Sequence, residues 1–240
     1  MRRLSLLLCS GLLLSLGTAS LRAQATVGYA PTASPYHGIL HGTWLEAYDG
    51  HIFGTGGALL VGPRDGAVRG LRFDLRGKNT LELGLGGWYA STIRSVVDAN
   101  DSVATRVKGP FSQRLIAFEG DVQLNLTGGK TWHALAPYAE ASFGLVNGER
   151  PPPSDTSGYT FGTKLYFGPV VGSRLFLGQR VFIKAEAQLL FWNLSYPGTY
   201  DLEPSKQPGT PTHPNAVNTT GSDTQYTLTP TLRFGLGISF

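Results

Sequence analysis

The chain has 240 residues, with a low charged fraction of 15%, an aromatic fraction of 11% and 32 glycines. Without the arginines at positions 2, 3 and 22, which lie in a predicted leader, 17 Lys and Arg remain against 16 Asp and Glu, a net charge near +1. This balance gives no basis for binding nucleic acid. Cys9 is the single cysteine, so the sequence excludes a disulfide framework and a thiolate metal site.

Residues 1–25 predict a cleaved Sec-type signal peptide. Arg2 and Arg3 precede an apolar run from residue 4 to residue 16, and Ala23-Gln24-Ala25 supplies an A-x-A cleavage site. Cys9 follows Leu8 instead of the small residue that a lipobox requires, so no lipid anchor is expected there. No stretch after residue 25 approaches about 18 consecutive apolar residues, and the remaining sequence therefore predicts no transmembrane helix.

The segment 26–50 has two interpretations. It is either an N-terminal periplasmic lead before the first strand or an extra strand, because the residues from His41 to Tyr48 alternate between polar and apolar types. The sequence therefore favours eight strands and leaves ten open.

Eight runs with a period of two residues, each bounded by turn residues, predict β-strands between residue 51 and residue 240. They cover residues 51–62, 67–75, 80–95, 113–126, 135–145, 159–176, 181–195 and 224–240. The connections 76–79, 127–134 and 177–180 are short, whereas 96–112, 146–158 and 196–223 are long and polar. Short turns at one end and long loops at the other are typical of a closed antiparallel up-and-down barrel.

Apolar and polar residues take opposite faces of these strands. In the fourth strand, for example, Ile116, Phe118 and Val122 alternate with Glu119 and Asp121. Aromatic residues of the apolar phase cluster near the strand ends. Those near the long loops are Tyr89, Phe143, Phe161, Phe191 and Tyr226, and those near the short turns are Phe73 and Phe240. Two such girdles are expected at the two interfaces of a bilayer.

The final strand carries the most specific pattern, because its apolar face continues without a slip to the last residue. That face consists of Tyr226, Leu228, Pro230, Leu232, Phe234, Leu236, Ile238 and Phe240. A strand that ends on Phe in the apolar phase resembles the closing strand of the small bacterial outer-membrane β-barrels of the OmpA/OmpX type, a porin-like family. The resemblance covers about residues 51–240 and rests on architecture and on the terminal Phe.

The resemblance implies a transmembrane barrel in the outer membrane, with lipid as its surroundings and both chain ends in the periplasm. It also implies insertion by the barrel-assembly machinery after escort by periplasmic chaperones. The residues of the implied assembly signal are Tyr226, Phe234, Leu236, Ile238 and Phe240. Periodicity alone does not say which face meets water, because a soluble lipocalin-like barrel alternates in the same way with its apolar face inside. The terminal Phe, the loop asymmetry and the aromatic girdles favour an apolar face that meets lipid.

If the apolar face meets lipid, the charged residues of the polar face point into the lumen. The predicted lumen charge network consists of Arg72, Asp74, Glu82, Glu119, Asp121, Glu140, Lys164, Arg174, Lys184, Glu186 and Arg233. The interior of an eight-stranded barrel is just wide enough for side chains to fill it, and an unpaired buried charge is strongly destabilising. We therefore expect a salt-bridged, closed lumen, with a narrow pore for small solutes as the alternative.

The sequence predicts neither catalysis, nor a metal site, nor a cofactor. His213 is the histidine of an outer loop, but it lies in a Pro- and Thr-rich segment that supplies no partner for a general base. No His, Asp or Glu cluster has metal-ligand spacing. A structural or surface-interaction barrel is expected, and a lipid-modifying enzyme is the less favoured alternative. An unknown extracellular ligand would bind the loops 96–112, 146–158 and 196–223, unless these form a disordered cap.

Overall fold

The computed structural model describes residues 33–77 and 80–240, and their regular secondary structure consists almost exclusively of β-strands. The strands are β1 (Tyr36–Gly38), β2 (Thr43–Thr55), β3 (Arg64–Arg76), β4 (Leu81–Val97), β5 (Val107–Asn125), β6 (Lys130–Trp132), β7 (Leu135–Gly148), β8 (Thr163–Phe176), β9 (Val181–Ser195) and β10 (Thr224–Ser239). A short 3-10 helix, Gly198–Asp201, follows β9. The described residues contain no helix long and apolar enough to cross a membrane. The predicted signal peptide, residues 1–25, lies outside the described residues.

Eight strands close into an antiparallel barrel. Their order around the barrel is β2-β3-β4-β5-β7-β8-β9-β10, and β10 pairs with β2 to complete the ring. The short strands β1 and β6 pair with each other, and Trp132 of β6 pairs with Leu135 of β7. The predicted closed antiparallel barrel is confirmed, and its strand number in the described part of the chain is eight.

The first barrel strand begins earlier than predicted. We expected a strand over 51–62 and a lead or an extra strand over 26–50, but β2 runs over Thr43–Thr55 and takes the position of the first barrel strand. Gly56 and Gly57 have φ values of 77° and 75°, a backbone conformation that glycine adopts without strain and that ends the strand. The alternation of 41–48 therefore belongs to the barrel, which brings Trp44 and Glu46 into its interior.

The outer face of the barrel is apolar and the inner face is polar over much of its length. Leu85, Phe118 and Leu165 point outward and are 70%, 74% and 77% exposed, whereas Arg72 and Arg174 point inward and are buried. This arrangement is the reverse of the one in a soluble barrel, in which the apolar face lies inside. Phe161 departs from the predicted girdle, because it is buried and packs edge-to-face against Trp192 at 5.6 Å between ring centroids.

Glycines make room for three inward-pointing rings. Tyr48 lies opposite Gly70, Tyr138 lies opposite Gly172, and Phe182 lies opposite Gly237 in the pairing of adjacent strands. A Cβ atom added to any of these glycines would collide with the opposite ring. A ring lying across a cross-strand glycine is a known device for packing a curved sheet, so here the glycines are part of the packing of the interior.

Pro169 lies within β8, where the ladder to β9 has a gap. The pairs Phe167–Phe191 and Val170–Gln188 flank this gap and keep the same register. Proline has no N–H to donate to a neighbouring strand, which accounts for the missing rungs. The strand accommodates the proline by this gap, without a bulge or a shift of register.

Candidate functional site

The connections divide the barrel into two different ends. The short-turn end carries the connections from β3 to β4, from β5 to β7 and from β8 to β9, and also β1; β6 lies within the second of these connections. The long-loop end carries the turn 56–63 and the connections 98–106, 149–162 and 196–223. Between these ends, the inward side chains form two layers of different chemistry, and the long loops form a third.

The first layer, which we call the ionic layer, is a continuous network of buried charges. Its acids are Glu46, Asp74, Glu82, Glu119, Asp121, Glu140 and Glu186, and its bases are Arg72, Arg174, Lys184 and Arg233. Every one of these eleven side chains is at most 3% exposed. They come from all eight barrel strands, so the network connects the whole ring across its interior.

Arg72 is the hub of the ionic layer. Its Nη2 lies 2.5 Å from Glu140 Oε1 and 2.7 Å from Asp121 Oδ2. Its Nε lies 3.1 Å from Asp74 Oδ1, and its Nη1 donates to Glu186 Oε2 at 3.4 Å. One planar guanidinium thus contacts four carboxylates, which is the geometry for which the forked arrangement of arginine donors is suited.

The other three bases connect the remaining acids. Arg174 donates to Glu82 Oε2 at 2.5 Å and to Asp74 Oδ2 at 3.2 Å, and its guanidinium also lies over the Trp44 ring at 4.9 Å. The pairs made by the other two bases are Lys184 with Glu46 (2.9 Å) and Glu186 (3.0 Å), and Arg233 with Glu119 (3.0 Å) and Glu186 (3.4 Å). Arg72, Lys184 and Arg233 all meet at Glu186.

The ionic layer has seven acids and four bases, and uncharged donors satisfy part of the surplus. Glu82 accepts hydrogen bonds from the amides of Gln123 and Asn125 at 2.8 and 2.6 Å. Glu119 accepts from Gln188 Nε2 at 2.9 Å and from the Tyr166 hydroxyl at 2.8 Å. Hydrogen bonds to a carboxylate stabilise its charged form, so these neutral donors partly replace the bases that the layer lacks.

Two members of the network differ from the sequence prediction. Lys164 points inward near the long-loop end, but it is only partly buried and donates to the Ser195 hydroxyl at 3.0 Å, apart from the ionic layer. Glu46 belongs to the layer and was missed, because the segment 26–50 was not assigned to the barrel. The apolar alternation of residues 41–48 was the signal that could have revealed it.

The second layer, which we call the aromatic layer, fills the lumen on the long-loop side. It is a buried cluster that includes Tyr48, Trp88, Tyr159, Phe161, Tyr166, Trp192, Ile52, Leu115 and Leu190. Trp88 Nε1 donates to the Tyr166 hydroxyl at 2.9 Å, and this hydroxyl donates in turn to Glu119 at 2.8 Å. The aromatic layer is thus hydrogen-bonded to the ionic layer beneath it.

The third layer is the loop cap, formed by residues 98–106, 149–162 and 196–223. Tyr200, in the 3-10 helix, is fully buried and donates its hydroxyl proton to the carbonyl oxygen of Val97 at 3.0 Å. Asp101 pairs with Lys206 from another loop, and Arg106 donates to the carbonyl oxygen of Asn215 at 2.6 Å. The segment 196–223, for which a disordered cap was one expectation, is held by contacts with its neighbours.

Arg94 joins the loop cap to the barrel wall. It lies in β4 and pairs with Asp155 of the connection 149–162, and both side chains are buried. Burial by itself raises the pKa of Asp155, but hydrogen bonds from Ser157 and Arg94 outweigh that effect and lower the pKa below its usual value. Burial also raises the pKa of Tyr200 to about 12, so its hydroxyl remains a donor at neutral pH.

Solved structures show the same barrel at low sequence identity. The structure of Neisserial surface protein A (NspA) matches with a TM-score of 0.50 and 13% identity, over 82% of this chain and 97% of that one. The outer membrane protein OprG from Pseudomonas aeruginosa matches with a TM-score of 0.51 and 10% identity, over 86% and 99%. The chain has the fold of the small outer-membrane β-barrels. No protein-family model matches the chain, and its sequence matches no curated protein.

Within this small-barrel fold, the predicted assembly-signal residues lie together on the outer face of β10. They are Tyr226, Phe234, Leu236, Ile238 and Phe240, each about half to three-quarters exposed. Their role in assembly stays a prediction. His213 contacts the Thr212 hydroxyl at 3.1 Å instead of a carboxylate. Among residues 33–77 and 80–240, no group of three or more His, Cys, Asp or Glu side chains is placed to hold a metal ion.

Proposed function

We propose that this chain is an integral outer-membrane protein whose apolar outer face meets lipid. The support comes from the orientation of the side chains. Outward residues such as Leu83, Leu85 and Phe118 are more than half exposed, while the ionic layer is enclosed. Exposing so much contiguous apolar surface to water would be strongly unfavourable, and a bilayer removes that cost. The predicted signal peptide and the escort by periplasmic chaperones belong to the same proposal.

We further propose that the lumen is closed and that the protein does not conduct solutes. The observation that carries this proposal is the stacking of the ionic layer beneath the aromatic layer. Arg72, Arg174, Arg233 and Trp192 are among the largest side chains that are fully buried, and all four point into the lumen. A solute path would require the hub contacts of Arg72 to break, which leaves buried charges without partners.

The test is the conductance of the purified, refolded protein in planar bilayers. We expect no stable openings from the native chain. Two variants test whether the ionic layer alone closes the lumen. Trp88→Ala removes a ring of the aromatic layer, and Leu85→Ala, the control, removes a side chain from the outer face. Neither should open a path through the ionic layer. Reproducible unitary openings of the native chain would refute closure and make the small-solute channel the correct function.

With the lumen closed, the loop cap is the surface that we propose for the protein's interactions outside the cell. Its loops are tied to one another and to the barrel through Tyr200, Asp101 and Arg94. A crevice of about 190 Å³ lies between the long-loop ends of β4 and β5 and the connection 149–162, and it is lined by residues that include Lys108, Phe111 and Asp155. A fixed scaffold that presents shaped loops is the usual way in which a binding surface is built.

We also propose that the protein is not an enzyme, since its outer-loop histidine, His213, contacts the Thr212 hydroxyl and not a carboxylate that could orient it.

One experiment tests both the loop cap and the absence of catalysis. It compares outer membranes that contain the native chain with membranes that contain a variant whose residues 203–217 are replaced by a short Gly-Ser linker. Binding of extracellular partners of the loop cap to whole cells should decrease in the variant, while the lipid composition of the two membranes stays the same. Altered lipid A in the native sample alone would support the lipid-modifying enzyme instead.

A further inference from the structure

The outer side of the long-loop end carries a groove at the junction of β4, β5 and β7. Its first part is a depression of about 320 Å³ lined by Tyr89, Arg114, Ile116, Asn147 and Glu149. Its second part, of about 410 Å³, shares Arg114 and Glu149 with the first and reaches the connection that follows β7. We call these two adjoining depressions the rim groove.

The rim groove begins where the outward residues change from apolar to polar. On β4 the change lies between Tyr89 and Ser91, and on β5 it lies between Ile116 and Arg114. Tyr89 pairs with Ile116 and Ser91 pairs with Arg114, so both strands change at the same rung of the ladder. An aromatic ring at such a boundary is typical of the membrane–water interface. With the apolar face in lipid, the rim groove therefore lies at the level of the lipid head groups.

Positive charge dominates the second part of the rim groove. The charged residues that line it are three bases and one acid, namely Arg94, Arg114, Arg150 and Glu149. Arg114 Nε lies 4.0 Å from Glu149 Oε2, and both side chains are more than half exposed, so this pair is weak. Arg150 is exposed and belongs to none of the ion pairs within the described part of the chain. The charges of the groove thus favour an anion.

Arg94 lies at the inner wall of the rim groove. It is buried and pairs with Asp155 through Nη2, whereas its Nη1 has no hydrogen-bond partner among residues 33–77 and 80–240. A buried donor without a partner is unfavourable, and an anion bound against Arg94 would supply one. Pro151 and Pro152 also line this part of the groove. Because proline restricts its own backbone and that of the preceding residue, the wall is ordered before a ligand binds.

We propose that the rim groove binds a phosphate-bearing lipid of the outer leaflet. The inference rests on the proposed location in the membrane. The phosphate group lies among Arg94, Arg114 and Arg150, and an acyl chain of the same lipid packs on Ile116 and Phe118. Guanidinium groups suit this role, because their planar donors match the oxygens of a phosphate in pairs.

A lipid fits the rim groove better than a free phosphate does, because the groove joins its basic part to the apolar face. Ile116 and Phe118 are both more than half exposed and lie in the same outward row of β5 as Arg114, directly toward the short-turn end. A free phosphate would contact the arginines alone. A lipid contacts the arginines and the apolar row together, and basic side chains at a membrane surface attract anionic lipids.

Retention of lipid by the full chain tests this site. Each protein is refolded into phosphatidylcholine vesicles with a minor fraction of lipid A and extracted in mild detergent, and the bound lipid A is measured by mass spectrometry. Arg114→Gln/Arg150→Gln should retain at least about tenfold less lipid A than the native chain, because two cations of the site are lost. The matched control, Arg64→Gln/Arg69→Gln, should retain it like the native chain. It removes two arginines of β3 outside the groove, and Arg69 also has a weak exposed partner, Asp49, at 2.6 Å.

Two further samples identify the chemistry of the ligand. Lipid A without its phosphates should be retained no better than lipid A is by the Arg114→Gln/Arg150→Gln variant, and millimolar inorganic phosphate should not displace the bound lipid completely. Equal losses in the two double variants would overturn the site, because they would show a general effect of charge. Retention of the dephosphorylated lipid, or complete displacement by inorganic phosphate, would overturn it as well.

Heat-modifiable migration on a gel, recorded for every sample, separates this inference from the proposed function. A folded, membrane-inserted native chain that retains no lipid A would overturn the lipid site and leave the proposed function standing. A native chain that is not membrane-inserted would overturn both.

Discussion

Arg72 should contribute more to the stability of the barrel than any carboxylate with which it pairs. The change that tests this is Arg72→Met, which preserves most of the side-chain length and removes the guanidinium. Among the described ion pairs, Asp121 and Glu140 have Arg72 as their partner, at 2.7 and 2.5 Å. The variant therefore leaves both of these buried carboxylates without a base, in a layer that already has seven acids and four bases.

The expected magnitude follows from burial. Removing one partner of a buried ion pair typically destabilises a protein by about 3–5 kcal/mol, and Arg72→Met should reach at least this range because more than one carboxylate loses its partner. Glu140→Gln should change the free energy of unfolding by only about 1 kcal/mol, the net value of a typical hydrogen bond. Arg72 keeps Asp74, Asp121 and Glu186 in that variant, and the acid surplus decreases.

The assay is urea unfolding of the refolded protein in phospholipid vesicles, followed by tryptophan fluorescence. Trp44, Trp88 and Trp192 are buried in the interior, so their emission reports on the loss of the lumen packing. Arg114→Met is the matched control, because Arg114 is 63% exposed and lies 4.0 Å from Glu149. An exposed pair of this kind contributes about 0–1 kcal/mol.

The reasoning is refuted if Arg72→Met and Glu140→Gln destabilise the protein equally, since that result would mean that the acid surplus has no effect on stability. It is also refuted if Arg72→Met behaves like Arg114→Met. The double variant Arg72→Met/Glu140→Gln should recover part of the loss, because it removes one of the carboxylates that the single variant leaves unpaired.

Two further predictions concern the packing and the loop cap. Gly237→Ala should destabilise the barrel by about 1–3 kcal/mol, because its Cβ would collide with the Phe182 ring; urea unfolding should show no comparable effect for Gly178→Ala, where nothing lies within 4 Å. The loop cap should become less stable in acid, because the pKa of Asp155 is lowered in the folded protein. The pair of Asp155 with Arg94 therefore stabilises the cap fully above the ordinary carboxyl pKa. This stabilisation is lost as the pH falls through the lowered pKa. Hydrogen exchange of residues 149–162 should show this pH dependence in the native chain and not in Asp155→Asn.

The barrel and most of its ionic layer could be predicted from sequence, because a period of two fixes the face to which each side chain belongs. Arg72, Glu119 and Arg233 follow directly from that rule. Lys164 shows its limit, since alternation gives the face of a residue but not its height in the barrel. Glu46 was missed because the first strand was predicted over residues 51–62, whereas β2 runs over Thr43–Thr55 and ends before Gly56 and Gly57.

Other features depend on contacts between residues far apart in sequence. The aromatic layer combines Tyr48, Trp88 and Trp192 from three separated strands. A single sequence does not give the register in which these strands pair, so it does not predict that the three rings lie together. The exposed ion pair between Asp49 and Arg69 could likewise not be predicted from the sequence, because it depends on the pairing of β2 with β3.

The accessibility of spin labels on the outer face tests the central claim most directly. Single cysteines replace Leu85, Phe118 and Val171 on the outer face, with Ala104 in the loop cap as a water-exposed reference, and each is labelled in protein refolded into vesicles. If the apolar face meets lipid, the three barrel labels collide more often with dissolved oxygen than with a water-soluble nickel complex, and the Ala104 label shows the opposite order. Greater accessibility of the three barrel labels to nickel would contradict the account, because the apolar face would then meet water.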